Sequence, residues 1–301
     1  MRTLSDYAQL VEARLGELIP AAPPHRFAAD EMPWLLADSM RYSLLAGGKR
    51  LRPSMLLAAV EMLGGEASEA LDYACAVEMI HTYSLIHDDL PGMDDDTMRR
   101  GRPTNHVVFG VGQAILAGDG LLNFAFETML AAALRRPERA SAGLLAIAEI
   151  ARGSGVTGMI AGQVLDLYCE RERIADASAL EAIQRGKTAC MFLYPLRAAA
   201  RLQNADEAIL AALTDYGTAF GLLFQATDDL LDVVGSAEAM GKTLGKDAAS
   251  GKLTCVSAYG VDGTRALVEA QHRAAVDALS IFGERASFFV QLVDGMVSRT
   301  H

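Results

Sequence analysis

Apolar residues recur at intervals of three and four along most of the chain, as in Leu56, Leu57, Val60 and Leu63. Such spacing lays them on one face of a helix. The alternating apolar–polar runs that strands require are nearly absent. The pattern breaks at Pro20–Pro24, Gly64-Gly65, Gly101–Pro103, Arg135–Pro137, Gln203–Ala205, Gly235–Gly251 and Gly260–Gly263. These breaks divide the sequence into roughly ten or more helices with short connections. Two helices stand out, one predicted over residues 67–89 and one over 207–234. No Gly/Ser linker separates two halves, so residues 1–301 read as a single all-α domain.

Half of the 301 residues are hydrophobic, enough for a sizeable core. Acidic residues (38) outnumber basic ones (27), for a net charge of -11. That balance disfavours binding to nucleic acid or an anionic membrane, which calls for a positive surface. Cys75, Cys169, Cys190 and Cys255 show no paired or zinc-like spacing and read as buried thiols. The first residues lack a signal-type apolar core, and no run approaches the ~18–20 apolar residues of a membrane span. The expectation is a cytoplasmic protein without a membrane span.

Against this background two acidic clusters appear, Asp88-Asp89-Leu-Pro-Gly-Met-Asp94 and Asp228-Asp229-Leu-Leu-Asp232. Carboxylates that close repel one another and resist burial. An isolated acidic triplet is usually a solvated helix end, but two in otherwise apolar flanks call for a cation. Hard oxygen donors suit Mg²⁺, which keeps some waters and bridges to phosphates. His81, Ser84 and Asp88 share one helical face, and Pro91-Gly92 should end that helix and return Asp94 toward Asp88. In the second cluster Gln225, Asp228 or Asp229, and Asp232 form one stripe.

Cations gather nearby: Lys49, Arg50 and Arg52 after Gly47-Gly48, then Arg99, Arg100 and Arg102, and Lys242 and Lys246 in a glycine-containing loop. Guanidinium forks and ammonium groups of this kind take phosphate oxygens. Each alone has an ordinary reading: a helix C-terminus for Lys49, a hydrogen-bonded core histidine for His81, a snorkelling lysine for Lys187. Lys187-Thr188 lies in an apolar helix where Pro195 should produce a kink.

Six segments in order, GGKRLRP (47–53), HTYSLIHDDLPGMDDDTMRRGRPT (81–104), GMIAGQVLDL (158–167), GKTA (186–189), FQATDDLLDV (224–233) and GKTLGKD (241–247), give the chain its resemblance to the trans-prenyl diphosphate synthases. It is most similar to bacterial farnesyl diphosphate synthases. The resemblance implies an isoprenoid-synthase helical bundle around a central cavity and a homodimer. It implies that Asp88, Asp94, Asp228 and Asp232 hold about three Mg²⁺ ions, with Mn²⁺ an alternative, around an allylic diphosphate. Arg99, Lys187 and Lys242 would bind that diphosphate. Lys49, Arg52, His81 and Arg100 would bind isopentenyl diphosphate. Thr188 and Gln225, with Lys187, would stand near the allylic carbons, and Gln163 and Asp166 at the same site.

Tyr83 and Ser84 precede Asp88 by five and four residues, where a growing apolar chain would extend. In the family, an aromatic at that position together with the Pro-Gly insertion goes with a fifteen-carbon product, so farnesyl diphosphate is expected. Geranylgeranyl or geranyl diphosphate synthesis is the alternative. A class I terpene cyclase would replace the second motif and lack Lys49 and Arg52. A non-catalytic partner subunit would have lost an aspartate motif. His87-Asp88 also admits a His-Asp phosphohydrolase, but the other histidines supply no ligand pattern. Thr227 and the segment from Ser287 to His301 depart from the family pattern without removing an expected ligand.

Overall fold

The computed structural model describes residues 2–21, 23, 31–234 and 252–298. These fold almost entirely as helix, and they form two compact units, Met1–Ile147 and Ala148–His301.

In the first unit the helices are α1 (Leu4–Leu18), α2 (Trp34–Leu44), α3 (Leu51–Met62), α4 (Ala67–Asp88), α5 (Asn105–Phe109) and α6 (Val111–Leu134). A capping box starts α1: the Thr3 side chain accepts from Asp6 N–H while Asp6 accepts from Thr3 N–H. The organising element is α4, which packs against α1, α2, α3 and α6. It is surrounded, so it is apolar nearly all round instead of along one stripe: Ala70, Ala74, Val77, Ile80 and Ile86 are all buried. Each such aliphatic side chain larger than alanine contributes roughly 1.5–3 kcal/mol through burial. Its boundaries follow the sequence reading to within one residue. The break at Gly101–Pro103 turns out to be a small antiparallel ladder, β1 (Met98–Arg99) with β2 (Arg102–Pro103). Arg100 and Gly101 both take positive φ there, which closes the tight turn.

A helix α7 (Ala140–Ser154) leads across the boundary. The second unit then holds α8 (Met159–Glu172), α9 (Ala177–Ile183), α10 (Cys190–Leu202), α11 (Glu207–Val234), α12 (Cys255–Ala278) and α13 (Ser287–Val297). Packed against α10, α12 and α13, α11 is the central helix here. Phe192, Phe220, Tyr216 and Phe289 form its aromatic core, with ring centroids 5.0 Å apart for Phe192–Phe220 and 5.3 Å for Tyr216–Phe289. Gly260 breaks α12 only locally, with φ 70 and ψ 174, and the helix continues beyond it.

Glycines set the closest approaches in this unit. A Cβ on Gly162 of α8 would lie 2.0 Å from Lys187 N, and one on Gly221 of α11 would lie 2.3 Å from Ala189 Cα. Only glycine permits backbones to meet at such distances. All four cysteines are buried free thiols, as expected. The sequence reading expected no segment long and apolar enough to span a membrane, and three helices depart from it. By length and mean hydropathy, Val111–Leu134, Pro137–Glu172 and Glu207–Val233 are long and apolar enough to cross a membrane.

Candidate active site

The first acidic cluster ends α4. Pro91 and Gly92 stop the helix, with Gly92 at φ 95, and the chain doubles back so that Asp94 N–H donates to the Asp88 carbonyl at 2.8 Å. Asp88 and Asp94 are half-buried, whereas Asp89 between them is 3 % exposed. Arg99 donates to both Asp89 oxygens, from Nε at 2.9 Å and from Nη2 at 2.7 Å. Burial pushes the Asp89 carboxyl up, against the pull of Arg99. The Arg99 fork that sequence assigned to a diphosphate is thus also the partner of a buried carboxylate.

The Gly47–Arg52 segment divides its cations. Arg50, in a left-handed conformation at φ 48, is buried and bonds Glu78 at 2.5 Å, Glu12 at 2.6 Å and the Leu44 carbonyl at 2.6 Å. It is a structural clamp joining α1, α4 and the end of α2. Its neighbours are not buried this way: Lys49 is exposed and Arg52 half-buried. Arg52 Nη1 stands 3.5 Å from His81 Nε2. Burial and the surrounding guanidinium groups, Arg52 first and Arg100 next, push the His81 imidazole far below its ordinary value, so it is neutral at physiological pH. His81 therefore joins the cationic group as a hydrogen-bonding ring, not as a charge. Arg100 donates to the Gly47 carbonyl and lies flat over Gly48, where a Cβ would meet its guanidinium carbon at 2.9 Å. Arg52 thus meets His81 on α4 and Arg100 rests on the glycine turn, with the exposed Lys49 next along the chain.

One turn before Asp88, Tyr83 is buried and meets the His87 ring edge-on, centroids 5.7 Å apart. His87 Nε2 donates to the Ile115 carbonyl at 3.1 Å, and its ring rests on Gly118, where a Cβ would come within 2.1 Å. His87 is thus held by packing and by the Ile115 carbonyl, and no three His, Cys, Asp or Glu side chains converge on it among the described residues. Ser84 Oγ donates back to the His81 carbonyl at 2.9 Å.

In the second unit, residues Gln184–Ala189 form a π-helical turn between α9 and α10. Sequence placed an irregularity at Pro195, but the proline sits inside α10 and the π turn lies upstream of it. A π turn carries one residue more than an α turn and leaves backbone groups out of phase. It contains Lys187 and Thr188. Lys187 Nζ bonds Asp166 Oδ2 at 2.7 Å, across the close approach that Gly162 permits. Sequence had only the GQxxD pattern to indicate this pairing. Gln163, on α8, has both amide atoms buried without a partner among the described residues.

Thr188 Oγ1 donates to Gln225 Oε1 at 2.9 Å, and Gln225 Nε2 donates to Asp229 Oδ1 at 2.7 Å. Asp229 Oδ2 also accepts from Cys255 N–H at 2.7 Å, at the start of α12. Burial pushes the Asp229 carboxyl up to about 6. Asp228 and Asp232 are half-buried on either side. Both motifs therefore share a plan: the middle carboxylate is buried on protein donors and the flanking ones reach the surface. Lys242 and its loop lie outside the described residues.

Among the described residues no three His, Cys, Asp or Glu side chains converge as a ready-made metal cage. The donor set still fits Mg²⁺, which is commonly held by one or two carboxylates plus substrate phosphates. Half-buried carboxylates, with Arg99 on the neighbouring Asp89 and Lys187 on Asp166, thus sit on an all-α frame.

Comparison with known proteins makes this specific. The Polyprenyl synthetase family model matches residues 33–279, and the chain belongs to that family. Geranylgeranyl pyrophosphate synthase 9, chloroplastic, of Arabidopsis thaliana is 45% identical over 252 residues, covering 82% of this chain and 69% of the relative. The chloroplastic geranylgeranyl pyrophosphate synthase of Capsicum annuum is 42% identical, covering 98% and 78%. Among solved structures, an FPP/GFPP synthase from Zymomonas mobilis superposes with a TM-score of 0.84 at 31% identity, covering 98% of this chain and 97% of its own. A putative farnesyl-diphosphate synthase from Marinomonas sp. MED121 gives 0.79 at 33%, covering 99% and 100%. The fold is the all-α isoprenoid synthase fold, and the chain is a prenyltransferase.

Proposed function

We propose that the protein elongates an allylic diphosphate, dimethylallyl or geranyl, with isopentenyl diphosphate, and that its product is farnesyl diphosphate. The shared plan of the two aspartate motifs carries the reading. Asp89 and Asp229 are buried on protein donors, whereas Asp88, Asp94, Asp228 and Asp232 are half-buried and reach solvent, which makes them the carboxylates suited to Mg²⁺. When bound, the metal supplies charge stabilisation to the departing diphosphate. Arg99, Lys187 and Lys242 add fixed positive charge to that same leaving group. Lys49, Arg52 and Arg100 bind isopentenyl diphosphate, with neutral His81 completing their hydrogen bonds. The oxygens of Thr188 and Gln225 turn negative dipole ends toward the allylic cation. No side-chain base is required if the released diphosphate takes the proton. Water must be kept from the cation, which it would otherwise capture.

Buried Tyr83 favours the shorter product, because its ring fills the space one turn beyond Asp88. Geranylgeranyl diphosphate is the second reading, favoured by the names of the plant relatives. We further propose a cytoplasmic homodimer. Ile115, Leu116, Leu130 and Leu134 of α6 give it an exposed apolar face suited to a second copy. A chromatographic product assay with isopentenyl diphosphate, Mg²⁺ and each allylic primer tests the reaction. Farnesyl diphosphate from dimethylallyl and geranyl primers is expected, with loss of turnover on chelation. No elongation with any primer overturns the proposal.

A further inference from the structure

The relay through Thr188, Gln225 and Asp229 has a direction, and its polarity follows from which groups can donate. A carboxylate accepts and does not donate. Asp229 faces the Gln225 side chain at 2.7 Å and the Cys255 N–H at 2.7 Å, so both must give it hydrogens. The Gln225 amide can satisfy Asp229 only with its NH₂ end. Its carbonyl end then points at Thr188, 2.9 Å away, and a carbonyl can only accept. Thr188 must spend its single hydroxyl proton on Gln225. What remains on the Thr188 oxygen is acceptor-only.

We propose that Asp229 is a positioning residue that fixes this polarity, so that Thr188 presents lone pairs and never its proton to the reacting carbon chain. The inference rests on the prenyl-elongation reading and assigns the middle aspartate of the second motif a task other than metal binding. An allylic cation is stabilised by lone pairs and repelled by an O–H dipole of the opposite sense. Asp229 sets that sign from two hydrogen bonds away. Two observations make its hold firm. Asp229 is buried, at 5 % exposure, and its second oxygen is anchored to the first turn of α12, so the carboxylate has little freedom to turn. Thr188 is itself buried, with one side chain to bond.

Replacing Asp229 by Asn keeps shape and size but supplies an NH₂ group. Gln225 can then reverse, donate to Thr188, and release the threonine proton outward. The test compares wild type, Asp229→Asn, Thr188→Val and the double variant, using geranyl and isopentenyl diphosphates over a range of Mg²⁺. We expect Asp229→Asn to lower kcat roughly ten- to a hundredfold, with both KM values and the half-saturating Mg²⁺ concentration within about twofold of wild type. The double variant should be no slower than the slower single variant, because both changes act through one hydroxyl. Multiplying losses overturn the inference. So does an unchanged kcat, or a loss that excess Mg²⁺ restores, which would make Asp229 a ligand. Neutron diffraction of the wild-type protein gives a readout that needs neither turnover nor a variant. The Thr188 deuteron should lie toward Gln225 Oε1, and a deuteron directed away overturns the proposal. Absence of elongation by the wild type would instead sink the prenyl-elongation reading, while the neutron result would still report the polarity.

Discussion

Tyr83 puts the proposed product length to the test at a single side chain. Its ring is buried against His87, and the His87 ring is seated on Gly118. Removing the tyrosine ring opens space without disturbing the carboxylates at the end of α4. Tyr83→Ala should lengthen the main product by at least one five-carbon unit, seen as a shift in chromatographic retention; an unchanged product removes Tyr83 from chain-length control. His81 carries a pH signature. The folded protein holds it neutral, whereas the unfolded chain takes up a proton below its ordinary value near 6.5. Protonation then stabilises the unfolded state, so stability present above that pH is lost as pH falls below it. Wild type should lose more thermal stability than His81→Gln between pH 7.5 and 5.5, measured by calorimetry; parallel losses would contradict the neutral assignment. The clusters of carboxylates and cations were legible in sequence as shared spacings. What was not legible is which ones the protein keeps for itself. Arg50 looks like Lys49 and Arg52 until Glu78 and Glu12 are found around it, and those partners lie 28 and 38 residues away.

At the scale of elements, helix ends were read closely because Pro, Gly and polar residues mark them by local chemistry. The π turn was not, because Gly186 and Thr188 weaken the helix signal of Gln184–Ala189 without indicating a π turn. Its signal was indirect: Gly162 and Gly221 sit on neighbouring helices where that segment comes closest. Gly162→Ala should therefore act on α8 and the π turn together. A Cβ at 2.0 Å from Lys187 N cannot be accommodated by a rotamer change, and overpacking of this kind costs about 1–3 kcal/mol or more. A thermal melt should show a clear loss of stability. Turnover should fall as well, because the Lys187–Asp166 pair spans the same contact. A variant with wild-type melting and activity would show that the two segments can part freely. The β1–β2 ladder was likewise read only as a break, since two-residue strands leave no periodicity to detect.

At the scale of the whole molecule, the polyprenyl synthetase match runs across both compact units, so neither unit alone represents the family. The exposed face of α6 makes the assembly testable. Leu116→Glu with Leu130→Glu places charge on that face while leaving the buried Ala114, Leu121 and Ala125 untouched. The wild type should have twice the chain mass by light scattering, and the double variant should approach the mass of one chain. A wild type of single-chain mass would refute the homodimer. The buried thiols have a practical consequence of a different kind. Burial raises Cys75, Cys169 and Cys255 and shields them with Cys190 from solvent, so the folded protein should be nearly silent toward maleimides. A cysteine introduced at an exposed site in each unit could then be spin-labelled without first removing the native ones. The distance between those labels, measured with and without substrates, would test whether binding changes their separation.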